Sequence, residues 1–441
     1  MAKVSIDFSA PSYGKIRPLH GLNSGPYTKA FTFDMRKLYR ESGIPFVRLH
    51  DTEYPYGSGE FVDIPCIFKD FDADETLESS YNFDLTDEYI RHIIELDVQP
   101  IFRLGVSIEH APVKRYIYPP KDFKKWARIC EHIIRHYNEG WANGHHWNIR
   151  YWEIWNEADG QGNMWLGTPE EYYEFYCVAA LHLKSCFPDL MIGGCGYTRS
   201  KNAFIEGFFD YITSRDVRIP LDFYSWHRYF SEIKWLRAAA ADADELLKKY
   251  GYTDAENVFD EWNYVEDWCA QGPSYIKLKN HIGASYCAAV LSVLQQETDV
   301  DIATYFEGDV SKEWCGLFEI TKMAIGQRDK AEIGPLKPFY SFRSFNDMYK
   351  LGNAVKADSD TDGVYACAAV NGEHVGLMVS NFNNADTDVT LDMSSLPDVP
   401  LDVMLVDEDN TWTRLMTVRG GNRLALTLSL RNNSFIYICN A

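Results

Sequence analysis

The first three-quarters of the chain alternate short apolar runs with longer amphipathic stretches. The apolar runs are rich in the β-branched and aromatic residues that favour strands, and most of them end in polar residues or glycine. We predict eight strands, at Ile16–Asn23, Pro45–His50, Val98–Gly105, Ile149–Trp155, Leu190–Cys195, Leu221–Trp226, Asn257–Glu261 and Asp301–Phe306.

The stretches between these strands carry apolar residues at helical spacing. The clearest are Lys121–Glu139, Pro169–Phe187, Ser231–Tyr250 and Tyr275–Gln296. The second has a well-marked start, because Thr168 can cap it, Pro169 suits the first helical position, and Glu170 and Glu171 face the positive end of the helix dipole. Eight strand–helix repeats predict an α/β fold, a parallel (β/α)₈ TIM barrel rather than an open sheet.

After about Met348 the pattern changes to short alternating runs separated by Asp, Asn, Gly and Pro. Such runs predict antiparallel strands joined by turns. We therefore divide the chain into a catalytic barrel at residues 14–347 and a C-terminal antiparallel β-sandwich at residues 348–441. The segment Lys3–Phe8 also alternates, so that residues 1–13 can add a strand to the sandwich.

One predicted connection, Asp51–Phe83, is far longer than a turn and has no clear periodicity. Connections of more than about 15 residues are usually functional or disordered, and this one is too aromatic for disorder. It follows the second strand on the C-terminal rim, where barrel active sites form. We expect it to pack over the barrel mouth and to contribute an aromatic or acidic side chain to a pocket.

Composition narrows the possible partners. The 441 residues include 43 Lys and Arg and 64 Asp and Glu, a formal charge of −21. This charge repels phosphate backbones and predicts no nucleic-acid partner.

No apolar run is long enough to span a membrane, and the opening MAKVSIDFSA lacks the apolar core of a signal peptide, so we expect no membrane partner and a cytoplasmic location. The ten cysteines are scattered, which favours buried thiols over disulfides. The sequence leaves the oligomeric state open.

Two of the predicted strands end in a glutamate. YWEIWNE places Glu157 after strand four, and NVFDEWN places Glu261 at the end of strand seven. The ends of these strands lie across the mouth of a barrel from one another. Two facing carboxylates are what glycoside hydrolysis requires, since one protonates the leaving oxygen while the other attacks or activates water.

At these residues the sequence resembles glycoside hydrolase family 39, the β-xylosidase and α-L-iduronidase family of the retaining (β/α)₈-barrel clan. That family typically carries Trp-Asn-Glu-Pro after strand four and a Thr-Glu-type motif after strand seven. The resemblance implies that Glu157 is the acid/base, that Glu261 is the nucleophile of a double displacement, and that no cofactor is needed. A barrel followed by a small sandwich is also the plan of that family.

The resemblance further implies a set of substrate-binding residues after strands two, four, six and eight. These are Arg48, His50, Asn156, His227, Tyr229, Tyr305, Glu313 and Trp314. Three positions depart from the family pattern. Ala158 follows the acid/base in place of Pro, Asp260 precedes the nucleophile in place of Thr, and Arg103 stands where xylosidases commonly have an acid. Arg103 is expected near the pocket floor, where it bears on which sugar is accepted.

No metal site is predicted. A barrel metallohydrolase usually offers His-x-His early in the chain, and this sequence has none, while His145 and His146 precede strand four on the opposite rim. His50 and His227 each follow a strand on the C-terminal rim. We interpret these two as contacts to sugar hydroxyls.

These observations predict a retaining exo-glycosidase that hydrolyses a neutral, pentose-containing plant glycoside, as a β-xylosidase does, with an oligosaccharide or glycoside as its partner. The alternatives are an arabinose-releasing enzyme, an endo-acting hydrolase and an iduronidase-like enzyme, in which Arg48, Arg103 or Arg228 would bind a uronate. An acidic protein repels polyanionic chains, which argues against the iduronidase-like enzyme. The long loop favours a closed pocket, which argues against the endo-acting hydrolase. From a different class, a carbohydrate-binding protein on an inactive scaffold is disfavoured because both acids are present.

Overall fold

A computed structural model describes residues 1–28, 31–54, 59–109, 111–160, 162–268, 271–324 and 326–440. In this part of the chain, parallel strands close into a barrel. Strands β1–β8 are Gly21–Asn23, Phe46–Arg48, Gln99–Leu104, Tyr151–Ile154, Met191–Tyr197, Phe223–Phe230, Glu256–Tyr264 and Ile302–Tyr305. β8 pairs with β1, with Thr304 opposite Gly21, which closes the sheet. The predicted eight-stranded barrel is confirmed.

Helices surround the barrel and connect its strands. Helices α1–α10 are Arg36–Ser42, Ile64–Ile67, Asp84–Ile94, Phe123–Glu139, Pro169–Cys186, Ala203–Thr213, Ile233–Lys249, Gln271–Lys277, His281–Glu297 and Phe339–Leu351, and short 3₁₀ turns lie at Glu78–Ser80 and Trp141–Asn143. The stretch predicted as one helix at Tyr275–Gln296 is two, α8 and α9. The side chain of Asn280 accepts a hydrogen bond from the amide of Ile282 at 2.8 Å and so starts a new helix there.

Helix α5 begins where the sequence predicts. The hydroxyl of Thr168 accepts a hydrogen bond from the amide of Glu171 at 3.1 Å, and the Glu171 carboxylate accepts one from the amide of Thr168 at 2.8 Å. This reciprocal capping box satisfies two amides that the helix itself cannot pair. The helix then follows β4, the strand that leads to Glu157.

Apolar side chains fill the N-terminal end of the barrel. Ile101, Tyr151, Phe223, Val258 and Ile302 are buried together there, one from each of five strands. This layer closes the barrel floor, so that only the C-terminal end can open to solvent.

The C-terminal region adds two sheets packed face to face around a second apolar core. The larger sheet contains Gly14–Lys15, Asn353–Val355, Val364–Asn371, His374–Asn381, Ser434–Cys439, Pro400–Val406 and Thr413–Arg419, and the smaller contains Ala357–Ser359, Ala2–Asp7, Thr387–Ser394 and Arg423–Leu430. Ala2–Asp7 runs parallel to Thr387–Ser394, whereas the other pairs are antiparallel. Two short hairpins, Tyr27–Thr28 with Phe33–Asp34 and Phe318–Ala324 with Gln327–Pro335, lie outside these sheets.

None of the helices among the described residues is both long enough and apolar enough to cross a membrane. Most of the described cysteines are buried. Cys269 lies outside the described residues.

Candidate active site

Above the apolar floor, the inward-facing positions of the barrel carry charged side chains. Arg48 on β2, Arg103 on β3, Glu153 on β4 and Asp260 on β7 are each fully buried. Charged groups are stable in a protein interior only when they are paired and hydrogen-bonded. These four side chains therefore form the supporting layer of the site, and the predicted carboxylates lie above it.

Glu157 reaches the barrel mouth because β4 ends before it. The strand stops at Ile154, and both Trp155 and Glu157 adopt left-handed backbone conformations, with φ of 73° and 45°. The amide of Glu157 donates a hydrogen bond to the carbonyl of Gly196 at 2.7 Å, which holds the turn. Asn156 and Glu157 can therefore both serve the site, although strict strand alternation would direct them to opposite faces.

β7 turns two adjacent acids into the barrel because it contains a β-bulge. Trp226 of β6 pairs with Phe259, but the next residue, His227, pairs with Glu261. Asp260 is therefore the extra residue of the bulge. As a result Asp260 joins the buried charged layer, and Glu261 faces the mouth.

Glu157 and Glu261 approach each other on either side of His227. The Nδ1 atom of His227 lies 2.8 Å from Oε1 of Glu157 and 3.3 Å from Oε2 of Glu261. One carboxylate oxygen of each glutamate lies within 4.8 Å of the other. The Glu157 side chain is 16% exposed and that of Glu261 only 6%. The two carboxylates thus share one small space, with Glu157 on its more open side.

Glu261 is held as an anion. Its Oε1 accepts a hydrogen bond from Nη1 of Arg48 at 2.7 Å, its Oε2 accepts one from the Tyr229 hydroxyl at 2.8 Å, and Nε2 of His50 lies 3.4 Å away. Burial alone would raise the pKa of Glu261, but the interactions with His227, His50 and Arg48 and the hydrogen bond from Tyr229 outweigh it and lower this pKa. A buried, fixed carboxylate is a ready nucleophile.

Arg48 also binds the acids below Glu261. Its Nε donates to Oε2 of Glu153 at 2.6 Å and lies 3.2 Å from Oδ2 of Asp260, while its Nη2 donates to Asn156 at 2.7 Å. The Ser225 hydroxyl donates to Glu153 as well, at 2.6 Å. Burial favours the neutral form of Glu153, yet the charge of Arg48 and these donors lower its pKa to about 2.

The pKa of Asp260 shifts in the opposite direction from that of Glu153. Burial and the neighbouring charge of Glu153 raise the pKa of Asp260 well above its ordinary value. Neither of its carboxyl oxygens has a hydrogen-bond partner among the described residues unless one of them carries a proton. In its neutral form Asp260 can donate to Glu153, as the neutral hydroxyl residue of the family pattern can.

Replacing Asp260 with asparagine is expected to make the protein relatively more stable as the pH rises. The folded wild type keeps a proton on Asp260 that the unfolded chain loses above about pH 4, so wild-type stability should fall with increasing pH by up to about 1.4 kcal/mol per unit, until the raised pKa is reached. Asparagine does not titrate and still donates to Glu153. Urea unfolding of both proteins from pH 4 to pH 8 measures the difference.

The opposite assignment, an ionised Asp260, predicts a different pH dependence of stability. If Asp260 were ionised and paired with Arg48, Asp260→Asn would be the less stable protein at neutral pH, and its deficit would shrink on acidification. Asp74→Asn, at an exposed acid of the long loop, is the matched control.

The long loop is fixed to the barrel through Arg103. Nη2 of Arg103 donates to Oδ1 of Asp63 at 2.5 Å, and the amide of Ser107 donates to Oδ2 of Asp63 at 2.8 Å. The start of α2 is joined to β3 by a hydrogen bond from the amide of Ile64 to the carbonyl of Gly105. Arg103 is thus fully buried in the barrel, and its charge is paired with the loop through Asp63. Residues 55–58 of the loop lie outside the described residues.

The first residue of the same loop is an acid that lies at the edge of the site. Asp51 lies 2.7 Å from Nδ1 of His50, and His50 in turn faces Glu261. Lys312 lies 3.8 Å from Asp51. The loop thus supplies the acidic side chain that the sequence predicts at the pocket.

Removing the carboxylate of Asp63 is expected to destabilise the protein and to weaken substrate binding. Asp63→Ala leaves the guanidinium of Arg103 buried without its counter-charge, which costs about 3–5 kcal/mol. The loop loses its anchor to β3, so KM should rise more than kcat falls. Denaturant unfolding and steady-state kinetics measure the two effects.

Asp70→Ala is the matched control for this loop, because Asp70 is an exposed acid seven positions further along. It should change stability by less than about 0.5 kcal/mol. A similarly small loss in Asp63→Ala would show that the pair with Arg103 does not hold the loop.

Aromatic rings line one side of the mouth beside Glu261. Trp314 packs against Tyr229, with ring centroids 5.5 Å apart, and against Phe306, Trp268 and Tyr275. Trp268 is 53% exposed and lies on the outer rim. Aromatic faces with a wet edge suit the packing of a sugar ring, which is apolar on its faces and polar around its rim.

Two of the predicted substrate-binding residues lie elsewhere. The ring of Tyr305 packs edge-on against Trp262 and Phe342 at centroid distances of 5.0 and 5.6 Å, on the helix side of β8. It points outward because its neighbour Thr304 takes the inward position on that strand. Glu313 is exposed. The structure does not bring either residue to the carboxylates, whereas the other predicted residues converge there.

Sequence reasoning missed three residues of the site. Glu153 lies in the motif YWEIWNE, two positions after Tyr151, so that strand alternation turns both side chains inward. This two-residue spacing is the signal that could have identified Glu153. Glu307 is buried just after β8, where the Ser24 hydroxyl donates to its carboxylate at 3.2 Å, and burial raises its pKa. Trp268 lies in a loop beyond β7, and no periodic pattern marks it.

Three groups of described side chains bring potential metal ligands within 4.8 Å of one another. They are Asp87 with His136 and His145, Glu131 with His182 and Cys186, and Glu157 with His227 and Glu261. In the group at the barrel mouth, Arg48 lies 2.7 Å from Glu261 and already neutralises it. A cation bound there would meet that positive charge, so this group is poorly suited to a metal.

Comparison with known proteins links this geometry to a family. A model of glycosyl hydrolases family 39 matches residues 16–289. A β-xylosidase from Geobacillus stearothermophilus is 27% identical over 190 residues, which are 41% of this chain and 36% of the relative, so that the match spans little more than a third of that relative's length.

Two solved structures share the fold over nearly the whole chain. A glucosidase from Croceicoccus marinus superposes with a TM-score of 0.80 at 22% identity, covering 100% of this chain and 98% of that chain. A β-xylosidase of family 39 from Caulobacter crescentus superposes with a TM-score of 0.71 at 14% identity, covering 99% of each chain. In each case the similarity extends over both the barrel and the additional sheets of this chain.

Proposed function

Because the chain belongs to glycosyl hydrolases family 39, we propose that it is a retaining exo-glycosidase that hydrolyses a neutral, pentose-containing glycoside. The observation that carries this proposal is the approach of Glu157 and Glu261 to within 4.8 Å between carboxylate oxygens. Retaining enzymes hold their two carboxyl groups about 5–5.5 Å apart, whereas inverting enzymes need about 6.5–9.5 Å to admit a water molecule. Oxygens that approach within 4.8 Å are compatible with the shorter of these two spacings, which supports the retaining mechanism.

In the first step, Glu261 is the nucleophile. Its carboxylate attacks the anomeric carbon while the glycosidic C–O bond breaks, and the departing oxygen takes the proton of the Glu157 carboxyl group. A glycosyl ester forms on Glu261. The low pKa of Glu261 and the more open position of Glu157 support this division of roles.

In the second step, Glu157 acts as a base. Its carboxylate takes a proton from a water molecule, whose oxygen attacks the anomeric carbon and displaces Glu261, so that the sugar leaves with its original configuration. His227, hydrogen-bonded to Glu157 and close to Glu261, holds the two carboxylates in register. Arg48 and Tyr229 bind Glu261 and keep it aligned as the ester forms and breaks.

The pairing or orientation of three arginines near the barrel mouth supports a neutral substrate. Arg48 is paired with Glu261 and other acids, and Arg103 is paired with Asp63. Arg228 follows His227 along β6 and is therefore turned to the opposite face of the strand. A uronate would require a cation available in the pocket, and none of these three side chains offers one.

Action at a chain end is supported by the long loop. Asp63 fixes the loop across the ends of β2 and β3, and Asp51 of the same loop contacts His50 beside Glu261. One side of the mouth is thereby walled, as a pocket for a terminal sugar requires. An endo-acting enzyme needs a cleft that is open on both sides of the carboxylates.

A panel of aryl glycosides tests the substrate proposal. The β-xyloside should give the highest kcat/KM among β-xyloside, α-arabinofuranoside, arabinopyranoside, β-glucoside and iduronide. The pentose preference rests on similarity to a β-xylosidase, and a β-glucoside hydrolysed faster than the xyloside would overturn it. Absence of hydrolysis across the panel, with binding of sugars retained, would favour a carbohydrate-binding protein.

A further inference from the structure

We propose that Asp87, His136 and His145 bind a divalent transition-metal ion of the zinc type at the end of the barrel opposite the carboxylates. Asp87 lies on α3, His136 in the last turn of α4, and His145 on the connection from α4 to β4. The site does not depend on the proposed glycosidase activity. It was not expected from the sequence, because no spacing motif joins Asp87 to the two histidines.

The distances within this group, the rear cluster, suit a tetrahedral ion. Nε2 of His136 lies 3.0 Å from Oδ1 of Asp87, and Nε2 of His145 lies 3.3 Å from Oδ2 of the same carboxylate. With metal–ligand bonds of about 2.0–2.1 Å, neighbouring ligand atoms of tetrahedral zinc lie about 3.3 Å apart. Two imidazoles and one carboxylate are also a ligand set that zinc accepts.

The ring of His136 is oriented by a contact on its other nitrogen. Its Nδ1 lies 2.9 Å from the carbonyl oxygen of Trp141, which can only accept a hydrogen bond. This contact directs Nε2 toward Oδ1 of Asp87, 3.0 Å away. A bond from the remote ring nitrogen to a backbone carbonyl is the usual support of a metal-ligating histidine.

His145 presents a second nitrogen to the same carboxylate. Its Nε2 is buried and forms no hydrogen bond of acceptable geometry within the described residues, although Asp87 is near. The ring is held in place, because it stacks on Trp147 with centroids 3.7 Å apart and its amide donates to the carbonyl of His136 at 2.6 Å. A metal ion would bind both nitrogens and the carboxylate together.

The cluster lies close to the protein surface. The side chains of Asp87 and His145 are 27% and 28% exposed, and His136 is buried behind them against Phe83, whose ring stacks on it at 3.6 Å. An ion there would join α3 and α4 to the chain that enters β4, the strand leading to Glu157. We infer a structural role, since the cluster lies at the far end of the barrel from the carboxylates.

Zinc binding to the whole protein, freed of metal with a chelator, tests this proposal. Calorimetric titration should show one tightly bound Zn²⁺ per chain, and Co²⁺ should give the intense visible absorption of a tetrahedral site. Zn²⁺ should also raise the unfolding temperature, since it binds the folded chain in preference. Asp87→Asn and His145→Ala should each weaken binding by at least about 100-fold and lose the thermal shift.

The neighbouring His146→Ala is the matched control, because His146 is exposed and lies outside the cluster, and it should bind Zn²⁺ as the wild type does. Asp87→Asn preserves the shape of the side chain, so that it decides the matter if His145→Ala folds poorly. Failure of the wild type to bind zinc, or unchanged binding in Asp87→Asn, would overturn the proposal. Zinc that is lost in His182→Ala but retained in Asp87→Asn would assign the ion to another cluster and overturn it equally.

Discussion

Glu261→Ala is expected to lower kcat/KM for every glycoside by roughly 10⁴-fold or more. Without this carboxylate no glycosyl ester can form. The neighbouring Asp260 is a poor replacement, because it is fully buried and because burial and the charge of Glu153 raise its pKa well above its ordinary value. Initial rates with an aryl xyloside at saturating and sub-saturating concentrations measure the loss. Glu261→Gln should be impaired to a similar degree while keeping the shape that packs against Arg48.

Two observations make this result specific to the nucleophile. Glu313→Ala, which removes an exposed acid from the same rim, should retain wild-type rates. Added azide can enter only the space vacated in Glu261→Ala, so any rescued product should be a glycosyl azide of inverted configuration. Wild-type turnover in Glu261→Ala, or an azide product of retained configuration, would contradict the assignment.

Glu157→Ala is expected to give losses that depend on the leaving group. A dinitrophenyl glycoside leaves readily without a proton, so its first step should be nearly unaffected, whereas a natural disaccharide should lose roughly 10²–10⁴-fold in kcat/KM. The second step lacks its base, so the glycosyl-enzyme should accumulate as a burst of dinitrophenol. Rapid-mixing measurements of that burst test the expectation.

Azide again separates the two roles. It needs no base, so in Glu157→Ala it should attack the glycosyl-enzyme directly, restore turnover and release a glycosyl azide of retained configuration. Equal losses on activated and natural substrates, with no burst and no rescue, would remove Glu157 from the acid/base role. Glu170→Ala, at an exposed acid in the first turn of α5, is the control.

The barrel could be predicted because its strands and helices depend on local patterns. Each predicted strand overlaps an observed one, and Thr168 starts α5 through the capping box that its sequence suggests. The ends of the strands were less accessible. β6 and β7 continue to Phe230 and Tyr264, since backbone pairing between neighbouring strands extends beyond the apolar run in each.

The two carboxylates could be predicted because each follows a recognisable strand, but the arrangement around them could not. The extra residue at Asp260 and the left-handed conformations at Trp155 and Glu157 arise from pairing and turns that no hydrophobic period records. Tyr305 was predicted at the site from family resemblance, and the one-residue alternation of β8 turned it outward. The raised pKa of Asp260 depends on burial beside Glu153, which only the assembled barrel creates.

The rear cluster illustrates the same limit over a longer distance. His136 and His145 are close in sequence, but Asp87 is nearly fifty residues away on a different helix. Only the folded chain brings its carboxylate to both rings. Spacing rules find metal ligands that share one element, and this group does not share one.

The most direct test of the central claim, that Glu261 is the nucleophile of a retaining glycosidase, is mass spectrometry of a trapped intermediate. A 2-deoxy-2-fluoro aryl xyloside with a dinitrophenyl leaving group should slow the second step more than the first, so that the ester persists. The account predicts that the protein gains the mass of one fluoroglycosyl group and that proteolytic peptides carry it on Glu261. A label on a different carboxylate, or no adduct from an enzyme that turns over the parent xyloside with inversion, would contradict it.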